Sequence, residues 1–273
     1  MATVLRPTRG WVAIDFVELF QYRDLILALA NRDVKLRYKQ TLLGIVWVVF
    51  QPLMAAGLLY FAFRVVARIE APEGSSFFLF SFAGLLAWNI FSATLNKTSL
   101  SMVGNSYLVS KVYFPRLILP LSSAIATLLD FAVAFGVLLI LFGVYGVHVG
   151  APLLLLPVWI ALLLCFAMGL GLIAAALTVH YRDVQYILPI LVPFLLYASP
   201  VAYDVSQIAP RYQAAFYLLN PLASLIAGFR WSAIGTPLPD TRYLLWSFLV
   251  TIIIFMLGAA VFRRTERRLA DVI

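Results

Sequence analysis

Long apolar runs separated by short polar stretches dominate the chain, and their lengths predict helices that cross a membrane. A bilayer core needs about 20 apolar residues of helix, and runs of that order fall at about 42–63, 77–96, 117–145, 152–179, 186–201 and 243–262. The third and fourth exceed the requirement, which predicts tilt or extension beyond the bilayer. The fifth is short and carries Pro189, Pro193 and Pro200, which predicts a kink or break. Between the fifth and sixth, Ala214 to Ile234 is apolar but is interrupted by Asn220-Pro221 and carries Arg230. Residues 202–234 therefore read as two short helices that dip into the outer leaflet and return. The expected fold class is an all-α membrane protein with six transmembrane helices, forming a single transmembrane domain over residues 1–273.

A different pattern precedes the first run. In residues 22–41, Tyr22, Leu25, Ile26, Leu29 and Leu36 share one helical stripe, while Arg32, Lys35 and Lys39 share another. This predicts an amphipathic interface helix, apolar side down on the membrane and basic side toward anionic headgroups or a cytoplasmic partner. Asp33 and Arg37 stand four apart near the apolar edge, a spacing that suits an ion pair.

Charge then chooses the sides. With six crossings both termini face the cytoplasm, and 15 of the 20 Lys and Arg residues fall on inner segments. A seventh crossing would export the tail Arg263-Arg264-Thr265-Glu266-Arg267-Arg268, against the positive-inside tendency. Residues 1–41 are too polar and too long for a cleavable leader. The outer segments, 64–76 and 146–151, are short, and no internal repeat of the transporter kind is evident.

Composition agrees and narrows the chemistry. Hydrophobic residues make up 63% and charged residues 12%, with a mean hydropathy of +0.98, outside the range of soluble domains. The net charge of +8 clusters beside apolar runs, which argues for membrane topology and against nucleic acid. Cys165 lies inside an apolar run and fits a small buried residue better than a reactive thiol. His148 and His180 lack any partner spacing for a metal. No glycine-rich loop ending in Gly-Lys-Ser/Thr occurs, so the chain carries no nucleotide site of that kind and is expected not to be an enzyme. Asp130 is the main ionisable residue inside a predicted span; it is a functional suspect by location, though bonding to a neighbouring hydroxyl such as Thr127 is the better-supported role.

Two further segments suit contact with another protein. Residues 97–116 mix small polar residues with Leu, Val and Tyr and end in Phe114-Pro115-Arg116; His180-Tyr181-Arg182-Asp183-Val184 is a compact charged turn. The chain from about residue 20 onward resembles the ABC-2 type permeases that export O-antigen, capsule and teichoic acid. The resemblance rests on Arg32-Asp33-Val34-Lys35 with Arg37-Tyr38, Leu43-Gly44, Trp47 and Pro52. It continues in Val112-Tyr113-Phe114-Pro115-Arg116 with Pro120, in Arg182-Asp183-Val184, in Ser199-Pro200 and in Asn220-Pro221.

The resemblance implies a homodimeric half-transporter driven by two copies of a separate nucleotide-binding ATPase subunit, which would bind the ATP and Mg that this chain does not. ATPase coupling would fall to Arg32, Asp33, Lys35, Arg37 and Tyr38, to Asn105, Tyr107 and Arg116 of the first inner loop, and to Arg182 and Asp183. The substrate would be a lipid-linked polysaccharide, its pyrophosphate met by cations such as Arg37, Lys39 or Arg182. Tyr60, Phe61, Phe82, Trp88, Phe91, Tyr197 and Tyr203 sit near the outer ends of the predicted spans and are the candidate channel lining. Sugar rings rest their C–H faces on aromatic planes, and scarce mid-span charge suits a neutral or weakly charged glycan. Two alternatives remain open: an ABC-2 exporter of drugs or lipids, and an ion-coupled carrier. The latter would need several buried ionisable groups.

Overall fold

A computed structural model describes residues 16–38, 45–69, 76–147 and 150–269. Lys39, Leu43, Gly44 and His148, named above, lie outside the described residues, as do the side chains of Arg37 and Tyr38. All regular structure among the described residues is helical. The order is α1 (Phe16–Gln21), α2 (Arg23–Tyr38), α3 (Ile45–Leu59), α4 (Phe77–Gly104), α5 (Ser106–Lys111), α6 (Ile118–Tyr145), α7 (Leu156–His180), α8 (Val184–Ala198), α9 (Pro210–Leu219), α10 (Pro221–Ile234) and α11 (Thr241–Leu269). A π-helical segment, Tyr60–Val66, prolongs α3, and a 3-10 turn, Ala151–Leu155, leads into α7.

Among the described residues, five helical segments are long and apolar enough to cross a membrane: Val46–Val66, Phe77–Gly104, Ile118–Tyr145, Ala151–His180 and Thr241–Glu266. The predicted fifth span is a shorter apolar helix, α8. Pro189 and Pro193 lie inside α8 without ending it, and Pro200 follows it.

α4 is the central helix. Its apolar and small residues are buried all round, and it packs against α3, α6, α7, α8 and α10. That is the signature of a helix enclosed by others rather than amphipathic. Between spans, lipid is as apolar as leucine, so close packing of small residues does much of the work. The seam between α7 and α11 shows this. A Cβ on Gly169 would stand 2.8 Å from the backbone of Ile254 and Phe255, and a Cβ on Gly258 would strike the Gly169 carbonyl. Several buried hydroxyls bond back to their own turn, as in Thr127 of α6 to the Ser123 carbonyl (3.0 Å) and Thr178 of α7 to the Ala174 carbonyl (2.7 Å).

α2 departs from the expected interface helix. Ile26 and Leu29 are buried, but against Met102, Val109, Phe114, Ile118, Phe262 and their neighbours, so the apolar stripe packs on the ends of the long helices. The stripe is satisfied within the protein at its start and open only at Leu36, which is 71% exposed. The predicted inner loop 97–116 is also shorter than expected. α4 continues to Gly104, because Ser99 and Ser101 return their hydroxyl bonds to the Asn96 and Thr98 carbonyls and keep the polar turn helical.

Away from the α7–α11 seam, α3 and α8 are thinly covered. Val192 is the buried residue of α8, while Tyr186, Ile190, Phe194 and Tyr197 are exposed, as are Trp47, Met54 and Phe61 on the α3 side.

Candidate functional site

Three polar constructions stand out in this apolar bundle. The first lies at its basic end. The Arg32 guanidinium donates to Asp33 Oδ1 through Nε (3.1 Å) and Nη2 (2.9 Å), and Nη2 also donates to Asn105 Oδ1 at 2.7 Å. Asn105 in turn donates to the Ser101 carbonyl (2.9 Å), so α2 is tied to the end of α4 through one side chain. On the far side of the same end, Glu266 of α11 accepts the Arg116 backbone N–H at 3.0 Å. Arg32 is one partner of the Asp33 carboxylate; the expected Asp33–Arg37 contact involves a side chain outside the described residues. Tyr107 and Tyr113 project from this assembly, each 74% exposed. Lys35 is exposed, as are Arg182 and Asp183 in the turn before α8.

The second is a cavity of about 400 Å³ between α3, α4, α6 and α8. Its apolar wall includes Val48, Pro52, Ala55 and Leu196; its polar wall includes Gln51, Asn89, Asn96 and Asp130. Asn89 is the one exposed residue between Leu79 and Phe91. With Ser92, Ala93 and Asn96 it forms a stripe at helical spacing that faces the cavity. Asp130 Oδ2 accepts from Lys97 Nζ at 3.0 Å, both side chains being largely buried. The Thr127 hydroxyl, expected to bond Asp130, donates to the Ser123 carbonyl.

The third knots the opposite end. Arg230 of α10, 2% exposed, donates to the carbonyls of Phe80 (3.1 Å), Pro200 (2.7 Å) and Val201 and lies 3.6 Å above the Phe80 ring. Gly84 makes room for it, since a Cβ there would meet the guanidinium Cζ and the Val201 carbonyl at 2.8 Å. Asn220, between α9 and α10, donates to the Ala198 carbonyl (3.0 Å) and Ser199 Oγ (3.1 Å). Four elements thus meet where α8 ends.

The candidate lining residues divide. Tyr60, Phe61 and Tyr197 are exposed at 40%, 59% and 64%, on the thinly covered side. Tyr203 is half-buried, its hydroxyl donating to the Tyr197 carbonyl at 3.3 Å, and burial raises its phenol above the usual tyrosine range. Trp88 reaches the cavity wall. Phe82 and Phe91 do not reach a surface: they are 0% and 1% exposed, and Phe91 stacks on Phe166 at 5.7 Å. They sit on the central helix, whose other neighbours enclose them. Asp130 stands out in the sequence by its place inside a span, whereas Gln51, Asn89, Asn96 and the pairing of Asp130 with Lys97 do not; the amide spacing on α4 is the available signal.

Comparison with known proteins matches the ABC-2 type transporter family over residues 24–234. The chain belongs to this family. Among curated ABC-2-like relatives, the O-antigen export system permease protein RfbA of Myxococcus xanthus is 30% identical over 255 residues, covering 93% of this chain and 97% of that protein. The protein of that name from Klebsiella pneumoniae is 28% identical, covering 92% and 95%. The polysialic acid transport protein KpsM of Escherichia coli is 26% identical, covering 88% and 92%. This ABC-2 family member thus aligns with its relatives along nearly their whole length.

Proposed function

We propose that this permease exports a lipid-linked, O-antigen-like polysaccharide from the cytoplasm to the periplasm, as a pair of copies driven by two copies of a separate ATPase subunit that binds ATP and Mg. The observation that carries the reading is the thinly covered face of α3 and α8. It presents Tyr60, Phe61 and Tyr197, and a cavity with several amide and carboxylate groups on its wall opens between the same helices, while the α7–α11 seam is packed backbone to backbone. Two such faces brought together would enclose a corridor with aromatic planes for sugar rings and few fixed charges. The names of the relatives, O-antigen export and polysialic acid transport, point to the same cargo class.

In this reading α8 is the sixth crossing. At 15 residues and about 1.5 Å each it spans roughly 22 Å, so the turns around Ser199-Pro200 complete the passage. The whole chain is then one transmembrane domain of the bacterial inner membrane with both termini in the cytoplasm. α9 and α10 form the periplasmic exit, held to α4 and the end of α8 by Arg230. The ATPase would press on α2, Asn105, Tyr107 and Arg116, and the Arg32–Asn105 bond would pass that motion into α4. Arg37, Tyr38, Arg182 and Asp183 belong to the same inner face.

The test is co-purification of the full-length permease with a candidate nucleotide-binding ATPase subunit, followed by hydrolysis rates with and without the permease. Co-elution and an altered rate are expected. A permease that purifies without a nucleotide-hydrolysing companion contradicts the proposal.

A further inference from the structure

We infer that the cavity between α3, α4, α6 and α8 is a saccharide subsite that holds an uncharged, hydroxyl-bearing unit of the passing glycan; this rests on the export reading above. Gln51 and Asn89 are exposed yet make no hydrogen bond among the described residues, although they sit in the middle of apolar helices. A carboxamide turned to hydrocarbon loses its hydrogen bonds at a cost of a few kcal/mol, so these groups face water, a ligand or a second copy. Asn89, Ser92 and Asn96 align along the cavity wall, with Gln51 on the facing helix α3. Each amide offers both a donor and an acceptor, the combination that adjacent sugar hydroxyls require.

The remaining walls fit the same ligand. Val48, Pro52 and Ala55 give an apolar surface for C–H faces, and Trp88 adds an aromatic edge. Asp130, the acidic group on this wall, holds the Lys97 ammonium at 3.0 Å, so its carboxylate meets the ligand with a counter-charge already in place. A volume of about 400 Å³ lies in the range of small-ligand sites, and the adjoining α3 and α8 faces connect it to the proposed corridor. A site of this kind would grip one unit weakly and release it, as a ratcheted polymer needs.

The experiment uses the full-length permease with its ATPase in a strain lacking the chromosomal copy, with the strain's own surface glycan as probe. Asn89→Leu and Gln51→Leu keep the size and remove the hydrogen bonds. Loss of one such bond corresponds to about a three- to tenfold effect, so surface glycan should fall by that factor in each variant, at wild-type permease abundance and with the dimer intact on native gels. Asn89→Gln, which restores an amide, should return export to within about twofold of wild type. Wild-type export in both leucine variants overturns the subsite, and so does a loss that follows dimer dissociation, which would make the amides a contact between copies. If the wild-type chain itself restores no glycan, the export reading fails first and the subsite with it.

Discussion

Gly169→Ala and Gly258→Ala probe the seam that the fold treats as fixed. At Gly169 the new methyl would lie 2.8 Å from Ile254 and Phe255 backbone atoms, where ordinary contact starts at 3.4 Å, so α7 and α11 must part by about 0.6 Å. The obstructing atoms are backbone, and no side-chain rotation relieves them. A gap of that size forfeits roughly a quarter to a half of each neighbouring dispersion contact, and overpacking of this kind costs about 1–3 kcal/mol. Because both substitutions load one seam, each should lower the Tm of the detergent-purified protein by about 5 °C, on a scale of roughly 2–4 °C per kcal/mol. Gly136→Ala and Gly143→Ala are the controls, since nothing lies within 4 Å of their added Cβ atoms. Replacing glycine in an open helical position stabilises by about 0.5–1 kcal/mol, so these two should be neutral or slightly raised. Size-exclusion recovery after a temperature ramp reads all four. If Gly169→Ala and Gly258→Ala match the controls, the close-packed wall is refuted.

Other consequences can be read in the same way. Gly84→Ala should push the Arg230 guanidinium off its carbonyls and destabilise by about 2 kcal/mol; adding Arg230→Met should make the pair less than additive in thermal unfolding. Lys97→Met alone leaves a buried carboxylate and should cost about 3–5 kcal/mol, with Lys97→Met/Asp130→Leu regaining most of it; equal stability of single and double variants contradicts the ion pair. Arg32→Met and Asn105→Leu should each lower ATPase-driven export several-fold at normal protein abundance. Their double variant should lose little more, because both act through one bond; multiplicative losses refute the shared path.

Much of the scaffold was legible because membrane helices announce themselves by length. Five of the six apolar runs correspond to helical segments long enough to cross a membrane, with edges about one or two turns from the predicted ones, and Asn220-Pro221 marks the junction of α9 and α10. What escaped was set by distant partners. The apolar stripe of α2 looked like a membrane face, but Met102, Phe114 and Phe262, remote in sequence, cover it. Lys97 read as the start of a loop because its counter-charge, Asp130, is 33 residues away. Arg230 read as a topological nuisance, since its acceptors are carbonyls of Phe80, Pro200 and Val201 and a carbonyl leaves no mark in a sequence. The aromatic candidates share a position near the outer ends of the spans. Depth does not distinguish the exposed Phe61 from Phe82, which the central helix encloses.

The most direct measurement is the fate of the glycan when the chain is removed from its host and then supplied in trans. The account predicts that surface polysaccharide disappears, that its lipid-linked precursor accumulates on the cytoplasmic side, and that the full-length permease restores export only with an active ATPase. Normal surface polysaccharide in the deletion strain, or restoration with a hydrolysis-dead ATPase, would contradict it.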